Sequence, residues 1–393
     1  MQPKKIKDGV FFVGAVDWDR RLFDALIPLP DGTSYNAYLV KGSEKTALLD
    51  TVDPSKADVL MSCLDGVKVI DYIVAHHAEQ DHSGALPNVM AKYPQAKVIT
   101  SPKGKPMLVE HVRIPEDRIV TVNDGQTLSL GDKTLEFIHT PWVHWPETMS
   151  TYLHEDRVLF TCDLFGSHLA VSGIYEPDKQ RVREASKRYY AEVMMPFRAI
   201  VKKHIERFEK YPVQIIAPSH GPVLSDPDFI VQCHRDWVSD RLANTVILPY
   251  VSMHGSTEAM VERLVEALSE RGIQAERHNL AVTDAGRFAM ALVDAATMVI
   301  GSPTVLGGAH PKVISAAFLA NALKPKMKFA AIIGSYGWGG KMPEQITATL
   351  ANLKLEFLSP VVVKGKPAAN DLAALDALAA QIAARHKAEG ISP

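Results

Sequence analysis

The stretch that decides the fold is His76-His77-Ala78-Glu79-Gln80-Asp81-His82-Ser83-Gly84. It follows an apolar segment, residues 68–75, whose composition predicts a strand. An extended chain directs alternate side chains to one side, and the start of the following helix can turn a fourth side chain towards them. The pattern His-x-Glu-x-Asp-His therefore predicts metal ligands that share one cleft at a strand end. These candidate ligands are His77, Glu79, Asp81 and His82.

Three later segments also have the pattern of a strand that ends in a ligand. They supply His144 in 141–146, Asp163 in 160–163 and His220 in 217–222. Together the candidates are three carboxylates and four imidazoles, too many for one tetrahedral ion and suited to two adjacent ions that share a bridging carboxylate. Oxygen and nitrogen donors without a thiolate suit iron or manganese as well as zinc.

The remaining histidines are interpreted as ordinary core or surface residues, because an isolated histidine near a strand end is more often packed or solvated than a ligand. These residues include His76, His111, His139, His154, His204 and His234. Cys162 is assigned to the core, because neighbouring side chains in a strand point to opposite sides. The clustered candidates differ, since burying their carboxylates and imidazoles together without a cation would be strongly unfavourable.

The spacing of these ligands resembles the metallo-β-lactamase fold and, more narrowly, the diiron domain of flavodiiron proteins. Hydrolytic members of the larger superfamily usually have histidine where this chain has Glu79. The resemblance implies an αββα sandwich and two iron ions bridged by Asp163. It assigns one iron to His77, Glu79, His144 and Asp163, and the other to Asp81, His82, Asp163 and His220.

The second part of the chain alternates apolar strands with helices, which predicts a doubly wound parallel sheet. The predicted strands are 245–251, 297–301, 328–334 and 360–364, and the predicted helices are 257–271, 311–323, 342–353 and 370–387. The first part is a strand-rich α/β domain with clear helical periodicity in 83–93 and 185–209. We therefore expect two domains, 1–243 and 244–393.

Three loops of the second domain predict a flavin site. The first, Ser252-Met253-His254-Gly255-Ser256-Thr257, joins a strand to a helix and offers backbone N–H groups and hydroxyls to a phosphate. It lacks the G-x-G-x-x-G dinucleotide pattern and suits the phosphate monoester of FMN. The other two loops follow parallel strands at their carboxyl ends, where such sheets bind ligands. Their candidate residues are Pro303, Thr304, Gly307 and Gly308, and Ser335, Tyr336, Gly337, Trp338 and Gly339.

This second domain resembles flavodoxin, and its place after the metal domain is similar to flavodiiron proteins over essentially the whole chain. Two positions depart from related sequences: His254 often has an aromatic counterpart, and Leu306 often has asparagine. Both departures bear on flavin contacts and potential. Some flavodiiron proteins carry an appended rubredoxin module, for which the three cysteines of this chain are too few.

Composition narrows the function classes. The 393 residues carry 43 basic and 45 acidic side chains, a formal net charge of −2, which gives no electrostatic basis for binding nucleic acid or a membrane surface. No window reaches the roughly 18 apolar residues of a membrane span. The separated Cys63, Cys162 and Cys233 favour a reducing compartment, so the expected location is cytoplasmic.

The resemblance implies a terminal reductase in which FMN feeds electrons to the iron pair, which reduces O2 to water, NO to N2O, or both. It also implies an external donor, either a rubredoxin-type protein or reduced coenzyme F420, and a head-to-tail homodimer or a dimer of dimers. No catalytic residue is predicted beyond the ligands, with His168 and Trp145 as candidate neighbours. Two alternatives are a binuclear-metal hydrolase and a non-catalytic flavin redox sensor or electron carrier.

Overall fold

The computed structural model describes residues 2–391 and divides into two compact units between Val238 and Ser239. Each unit has its own sheets and its own hydrophobic core. The domain limits expected from the sequence, 1–243 and 244–393, stay a prediction.

The first unit contains short strands and helices in a mixed order. The strands are β1 (Lys4–Lys7), β2 (Val10–Phe12), β3 (Ala15–Asp17), β4 (Leu22–Phe23), β5 (Ile27–Pro28), β6 (Thr33–Tyr35), β7 (Tyr38–Lys41), β8 (Thr46–Leu49), β9 (Tyr72–Val74), β10 (Lys97–Thr100), β11 (Ile119–Thr121), β12 (Thr127–Ser129), β13 (Thr134–His139), β14 (Met149–Leu153), β15 (Val158–Cys162) and β16 (Ile215–Pro218). The helices are α1 (Ala57–Cys63), α2 (Gln80–Ser83), α3 (Leu86–Lys92), α4 (Gly104–Val112), α5 (Lys179–Tyr189), α6 (Arg198–Phe208) and α7 (Pro227–Val238).

Two large sheets form the centre of this unit. The first has the order β1-β2-β7-β8-β9-β10-β11, and the second has the order β12-β13-β14-β15-β16. Alternate side chains of both sheets meet in one core, in which Val40 and Leu49 of the first sheet join Phe137 and Phe160 of the second. A separate core lies between the first sheet and helices that include α1, α3 and α4. On the second sheet's side, Arg207 of α6 donates one hydrogen bond to the carbonyl of His139.

Two helices predicted from periodicity are interrupted in the structure. The stretch predicted as 185–209 begins earlier, at Lys179, and changes to a π-helical turn and a 3-10 turn before α6 starts. Pro196 lies in that 3-10 turn and lacks the N–H that a continuous α-helix needs. The stretch predicted as 83–93 is divided into α2 and α3, and Pro87 stands at the start of α3.

The second unit alternates strands and helices as expected. Its elements are β17 (Ala243–Tyr250), α8 (Ser256–Ser269), β18 (Gln274–Asn279), α9 (Ala285–Leu292), β19 (Ala295–Val305), β20 (Gly308–Ala309), α10 (Pro311–Leu323), β21 (Phe329–Tyr336), α11 (Met342–Thr349), β22 (Glu356–Phe357), β23 (Val361–Lys364) and α12 (Ala369–Ala388). The main sheet has the order β18-β17-β19-β21-β22, with β23 also paired to β21, and these pairings are parallel. Helices α8 and α12 share one core with the sheet.

Strand β18 and helix α9 were not predicted. The strand sequence Gln-Ala-Glu-Arg-His-Asn is polar, and the strand lies at the edge of the sheet, where one side of its backbone has no neighbouring strand in the described chain. Edge strands tolerate such polar sequences, so periodicity gives little signal there. Among residues 2–391, no helix has the length and apolar character needed to cross a membrane.

One buried histidine, His234, makes the stability of the first unit depend on pH. His234 lies on α7, donates from Nδ1 to the carbonyl of Ile230 at 3.0 Å, and packs against Trp237 and Phe165 at ring distances of 4.7 and 4.8 Å. Burial lowers the pKa of His234 to about 4, although the hydrogen bond to Ile230 opposes the shift. The native state therefore holds this imidazole neutral.

We expect acid to destabilise the protein through His234. Because the unfolded chain takes up the proton near pH 6.5 and the native state only near pH 4, the lost stability reaches about 3 kcal/mol as the pH falls between these values. The measurement is urea unfolding of metal-free protein from pH 7 to pH 4, with His234→Phe as the comparison. The variant should show the shallower pH dependence, and parallel curves would contradict the assignment.

Candidate functional site

Six of the seven predicted metal ligands line one cavity of the first unit, and the seventh, His77, lies beside it with Nε2 3.0 Å from Glu79 Oε2. His77 and Glu79 follow β9, and Asp81 and His82 lie on α2. The remaining three ligands come from the ends of second-sheet strands: His144 from the loop after β13, Asp163 directly after β15, and His220 two residues after β16. The cavity therefore lies where strand ends of both sheets come together.

The geometry groups His77, Glu79, His144 and one oxygen of Asp163 into a first candidate metal position. Glu79 Oε2 lies 3.0 Å from His77 Nε2 and 3.2 Å from His144 Nε2. Asp163 Oδ2 lies 3.7 and 3.8 Å from the same two nitrogens.

The geometry groups Asp81, His82, His220 and the other oxygen of Asp163 into a second candidate metal position. Asp81 Oδ2 lies 3.1 Å from His220 Nε2 and 3.4 Å from His82 Nε2. Asp163 Oδ1 lies 3.2 Å from His82 Nε2 and 3.4 Å from His220 Nε2. Asp163 thus presents one carboxylate oxygen to each position, as a bridging ligand would.

These donor spacings fit a pair of metal ions. Ligand atoms about 2.0–2.2 Å from one ion lie roughly 3.0–3.5 Å from each other, close to the spacings found in both positions. Asp81 Oδ1 is buried and has no hydrogen-bond partner among the described residues, which leaves an oxygen available to an ion. The residues therefore fit two ions with a shared carboxylate.

The buried carboxylates of the cavity also need positive charge close to them. Burial tends to raise the pKa of Asp163, but the nearby imidazoles of His82, His77 and His144 lower it well below its usual value, so the carboxylate stays ionised. Burial lowers the pKa of His77, whereas hydrogen bonds with Glu147 and Glu79 outweigh this and raise it to about 10. In the absence of metal, protonated imidazoles would have to supply the positive charge that the carboxylates need.

The second unit has a cavity of about 280 Å³ at the carboxyl ends of its parallel strands. Eleven of the predicted flavin residues line it: Ser252, Met253, His254, Ser256, Thr257, Pro303, Thr304, Ser335, Tyr336, Gly337 and Trp338. The other four, Gly255, Gly307, Gly308 and Gly339, are not lining residues. Gly255 instead occupies the N-cap of α8 with φ +82°, a conformation that favours glycine. Gly365 lines the cavity and was not predicted.

The lining of this cavity fits a flavin phosphate and ring. The N-terminus of α8 borders the cavity through Ser256 and Thr257, which add hydroxyls. The Glu258 N–H of its first turn donates to Ser252 Oγ at 3.2 Å. Apart from His254, the lining side chains of the described residues carry no cationic group. Tyr336 and the 94% exposed Trp338 offer aromatic faces for a flat ring.

Comparison with known families and proteins agrees with both cavities. The model of the ODP family beta lactamase matches residues 33–221, and the flavodoxin model matches residues 248–375. The type A flavoprotein fprA of Rhodobacter capsulatus is 35% identical over 94% of this chain and 88% of its own length. The nitric oxide reductase of Moorella thermoacetica is 34% identical over 98% of this chain and 99% of its own. This chain belongs to the flavodiiron family, the type A flavoproteins.

A solved structure that matches over the whole chain also supports membership of the flavodiiron family. The rubredoxin oxygen:oxidoreductase of Desulfovibrio gigas superposes with a TM-score of 0.95 at 31% identity, covering 100% of both chains. The predicted fold class is therefore confirmed: a metallo-β-lactamase-like unit is followed by a flavodoxin-like unit.

Sequence reasoning missed the residues that orient the ligands of this flavodiiron protein. His77 Nδ1 donates to Glu147 Oε1 at 2.6 Å, and His220 Nδ1 donates to the backbone carbonyl of Ser34 at 2.7 Å. Each bond leaves the Nε2 lone pair directed into the cavity. Glu147, three residues after His144, could have been noticed in the sequence because it is acidic. The partner of His220 is a backbone carbonyl, which every residue has, so the sequence gives no sign of it.

Tyr189 is a further residue that the sequence did not reveal. Its hydroxyl donates to Asp163 Oδ1 at 2.9 Å, and burial raises the pKa of Tyr189 well above its usual value, so the phenol stays protonated. The two predicted neighbours also lie at the site. The His168 ring is 5.0 Å from the His220 ring, and the Trp145 ring stands perpendicular to the His77 ring at 4.8 Å.

The side chain of Cys162 does not point in the direction expected of a strand residue. Its φ of +54° lies in the left-handed region, and its Sγ approaches Asp163 Oδ2 to 3.7 Å, so the thiol does not point away from its neighbour. The residue is buried, as expected for the core. Burial raises the pKa of the Cys162 thiol well above its usual value, which disfavours the thiolate that a metal ligand would need.

Histidines that were assigned to the core or surface make other contacts. Both ring nitrogens of His76 are hydrogen-bonded in this buried network, Nδ1 with Asp50 and Nε2 with Thr151, each at 2.7 Å. His139 and His204 bond backbone carbonyls, and His154 pairs with Glu136 at 2.8 Å. These partners account for the imidazoles without a metal ion.

We expect Asp163→Asn to lose at least one of two bound ions. The amide removes the shared negative charge and replaces one bridging oxygen with a group that cannot ligate through a lone pair. The measurement is metal content per chain by mass spectrometry after gel filtration. Asp226→Asn, an exposed carboxylate outside the cavity, should keep both ions, whereas two retained ions in Asp163→Asn would refute the bridging role.

Proposed function

We propose that this chain is an FMN- and diiron-dependent oxidoreductase that reduces O2 to water, NO to N2O, or both, with electrons from an external donor. The observation that carries the proposal is the pair of adjoining four-donor positions that share Asp163. A mixed carboxylate and imidazole set of this kind suits iron. Nitric oxide reductase and rubredoxin-oxygen oxidoreductase are the names of relatives that match almost the whole chain.

The ligand set and the second unit favour this function over the two alternatives. A hydrolase of the metallo-β-lactamase type leaves the flavodoxin-like unit without a role. A redox sensor or electron carrier leaves the converging metal donors without a role. The oxidoreductase uses both cavities.

The metal cavity has a volume of about 180 Å³. The apolar side chains Phe23, Ile27 and Val193 line it together with the ligands and with Asp24 and Glu192. Space of this size is ample for a diatomic gas. Only Glu79 and His144 among the ligands have noticeably exposed side chains, at 16% and 18%, so this edge faces the entrance.

Residues beside the ligands hold protons at defined atoms. Bound iron supplies the centre at which the gas is reduced, and bound FMN supplies the electrons. The Tyr189 hydroxyl holds its proton against Asp163 Oδ1. Burial and the neighbouring His220 lower the pKa of His168 well below its usual value, so this imidazole stays neutral, with Nδ1 2.8 Å from the Thr33 hydroxyl. Reduction of O2 or NO consumes protons. The Tyr189 hydroxyl and the His168 imidazole are groups that hold protons at fixed positions in the cavity.

The second unit is proposed to hold FMN by groups already in place. The α8 N-terminus with Ser252, Ser256 and Thr257 would take the phosphate, and Tyr336 and Trp338 would contact the ring. Leu306 is fully exposed beside this cavity's loop, with φ +50°, where related proteins often have asparagine.

The electron donor is proposed to be a separate molecule. The chain's cysteines, Cys63, Cys162 and Cys233, are buried free thiols, too few for a four-cysteine iron site. Relatives are named rubredoxin-oxygen oxidoreductase and coenzyme F420H2 oxidase, the latter 32% identical over 86% of this chain. We infer a rubredoxin-type protein or reduced coenzyme F420 as donor, and a cytoplasmic location in keeping with reduced thiols.

Substitution of Glu79 tests the proposed reaction. In protein loaded with FMN and iron and reduced without oxygen, Glu79→Ala should slow flavin reoxidation by O2 and by NO at least 100-fold, because the first metal position loses its own carboxylate. Stopped-flow absorbance of the flavin measures both gases separately. Reduction of the flavin by dithionite should be unchanged.

The outcomes separate the three functions. His154→Asn, outside the cavity, should behave as the unmodified protein. Reoxidation that is unaffected in Glu79→Ala would support a flavin carrier alone. Zinc at full occupancy with ester or thioester hydrolysis, and no reoxidation by either gas, would support a hydrolase.

We also infer a head-to-tail homodimer in which the flavin of one subunit approaches the metal pair of another. Exposed apolar side chains accompany both cavities: Met253, Leu306 and Trp338 in the flavin loops, and Leu22, Leu26 and Trp142 in segments that reach the metal cavity. Such exposed groups are typical of interaction surfaces.

Dilution tests this assembly. Flavin reoxidation by O2 should slow in parallel with dissociation to monomers, since electrons would then lose their acceptor in the partner subunit. Sedimentation measures the association state at each concentration, and also separates a dimer from a dimer of dimers. A monomer that reoxidises its flavin at the full rate would overturn the inference.

A further inference from the structure

The two metal positions have matching inner ligands. Each has two imidazole Nε2 atoms, one carboxylate of its own and one oxygen of Asp163. Both positions also border the same cavity through Glu79 and Asp81. Any difference in their hold on a metal ion must therefore come from the groups behind the ligands.

The groups behind the ligands differ in charge. In the first position, His77 Nδ1 donates to the carboxylate of Glu147 at 2.6 Å. In the second position, His220 Nδ1 donates to a neutral carbonyl, that of Ser34, at 2.7 Å. The buried Asp50 carboxylate lies near the other imidazole, His82, but its oxygens already accept hydrogen bonds from His76 and Ser219. A carboxylate partner increases the basicity of the ligating nitrogen more than a neutral carbonyl does, so His77 is the stronger donor.

The charge of Glu147 is directed at His77. Its side chain is 1% exposed, and its Oε1 accepts bonds from His77 Nδ1 and the Ala78 N–H. Its Oε2 is buried without a hydrogen-bond partner among residues 2–391. A buried carboxylate with so few donors interacts strongly with any positive charge reached through His77.

A second contact weakens the other side. Tyr189 donates to Asp163 Oδ1 at 2.9 Å, and this is the oxygen that faces His82 and His220. The bond draws electron density from the oxygen offered to the second position. The oxygen offered to the first position, Oδ2, accepts from the weak donor Cys162 Sγ at 3.7 Å, and no stronger hydrogen bond from residues 2–391 reaches it apart from the facing imidazoles.

We propose that Glu147 is a positioning residue that makes the two metal positions unequal, so that the first position holds its ion more tightly than the second. This asymmetry rests on the proposed diiron function. It predicts that iron leaves the protein in two separate steps and that the second position empties first.

Equilibrium iron retention tests the asymmetry. Iron(II)-loaded holoprotein, kept free of oxygen, is dialysed against EDTA-buffered solutions of decreasing free iron, and iron per chain is measured. Two steps separated by at least tenfold in free iron are expected. In Glu147→Gln, which can keep an oxygen for the hydrogen bond but removes the charge, the tighter step should move to free iron about 10–100-fold higher.

Variants with one broken position assign the steps. In the His220→Ala background, the remaining ion belongs to the first position, and adding Glu147→Gln should weaken its retention by the same 10–100-fold. In the His144→Ala background, the remaining ion belongs to the second position and should be unaffected. A general loss of folding would weaken both, so the comparison separates positioning from instability.

A matched control breaks a similar pair elsewhere. Glu136→Gln removes the carboxylate 2.8 Å from His154, which is not a ligand, and should leave both steps in place. A single step for both ions in the unmodified protein, or equal effects of Glu147→Gln in the two backgrounds, would overturn the asymmetry. Failure of the oxidoreductase function would show separately, as iron retained in two steps without flavin reoxidation by either gas.

Discussion

The gathering of three carboxylates within one buried cavity is the constraint on which the first unit depends. Glu79, Asp81 and Asp163 are held within about 4 Å of the same group of imidazoles, in a place where water screens them poorly. Such a cluster is unfavourable unless positive charge is present. The fold directs four Nε2 atoms towards these carboxylates and fixes two of the rings, His77 and His220, by hydrogen bonds from Nδ1. The site therefore suits metal ions, and without them the clustered carboxylates destabilise the fold.

The sheets explain how ligands from distant parts of the sequence reach one place. β9 ends just before His77, β15 ends just before Asp163, and β16 ends close to His220. Because the two sheets pack face to face, their ends open on the same side of the common core. Backbone conformations with positive φ turn the chain at Cys162, where β15 ends, and at Asp50, directly after β8. Rigid strands thereby position the donors more accurately than free loops could.

The sequence was most informative where chemistry and spacing coincide. The run from His77 to His82 predicted its cavity because such ligands have no common structural purpose when clustered, and the alternation after residue 244 predicted the parallel sheet. What the sequence could not reveal depends on contacts between distant residues. Tyr189 reaches Asp163 from a helix 26 positions away, Ser34 acts through its backbone, and β18 is an edge strand whose polar residues carry no periodic signal. Pro196 was visible, but its effect on a long helix depends on what the turns pack against.

Each cavity is completed within one compact unit. The residues that line the metal cavity run from Phe23 to His220, and those that line the flavin cavity run from Ser252 to Gly365. The division between Val238 and Ser239 cuts through neither of them. A single genetic crossover at that point would therefore transfer one complete site and leave the other intact, which makes each half of this chain a unit that recombination can exchange whole.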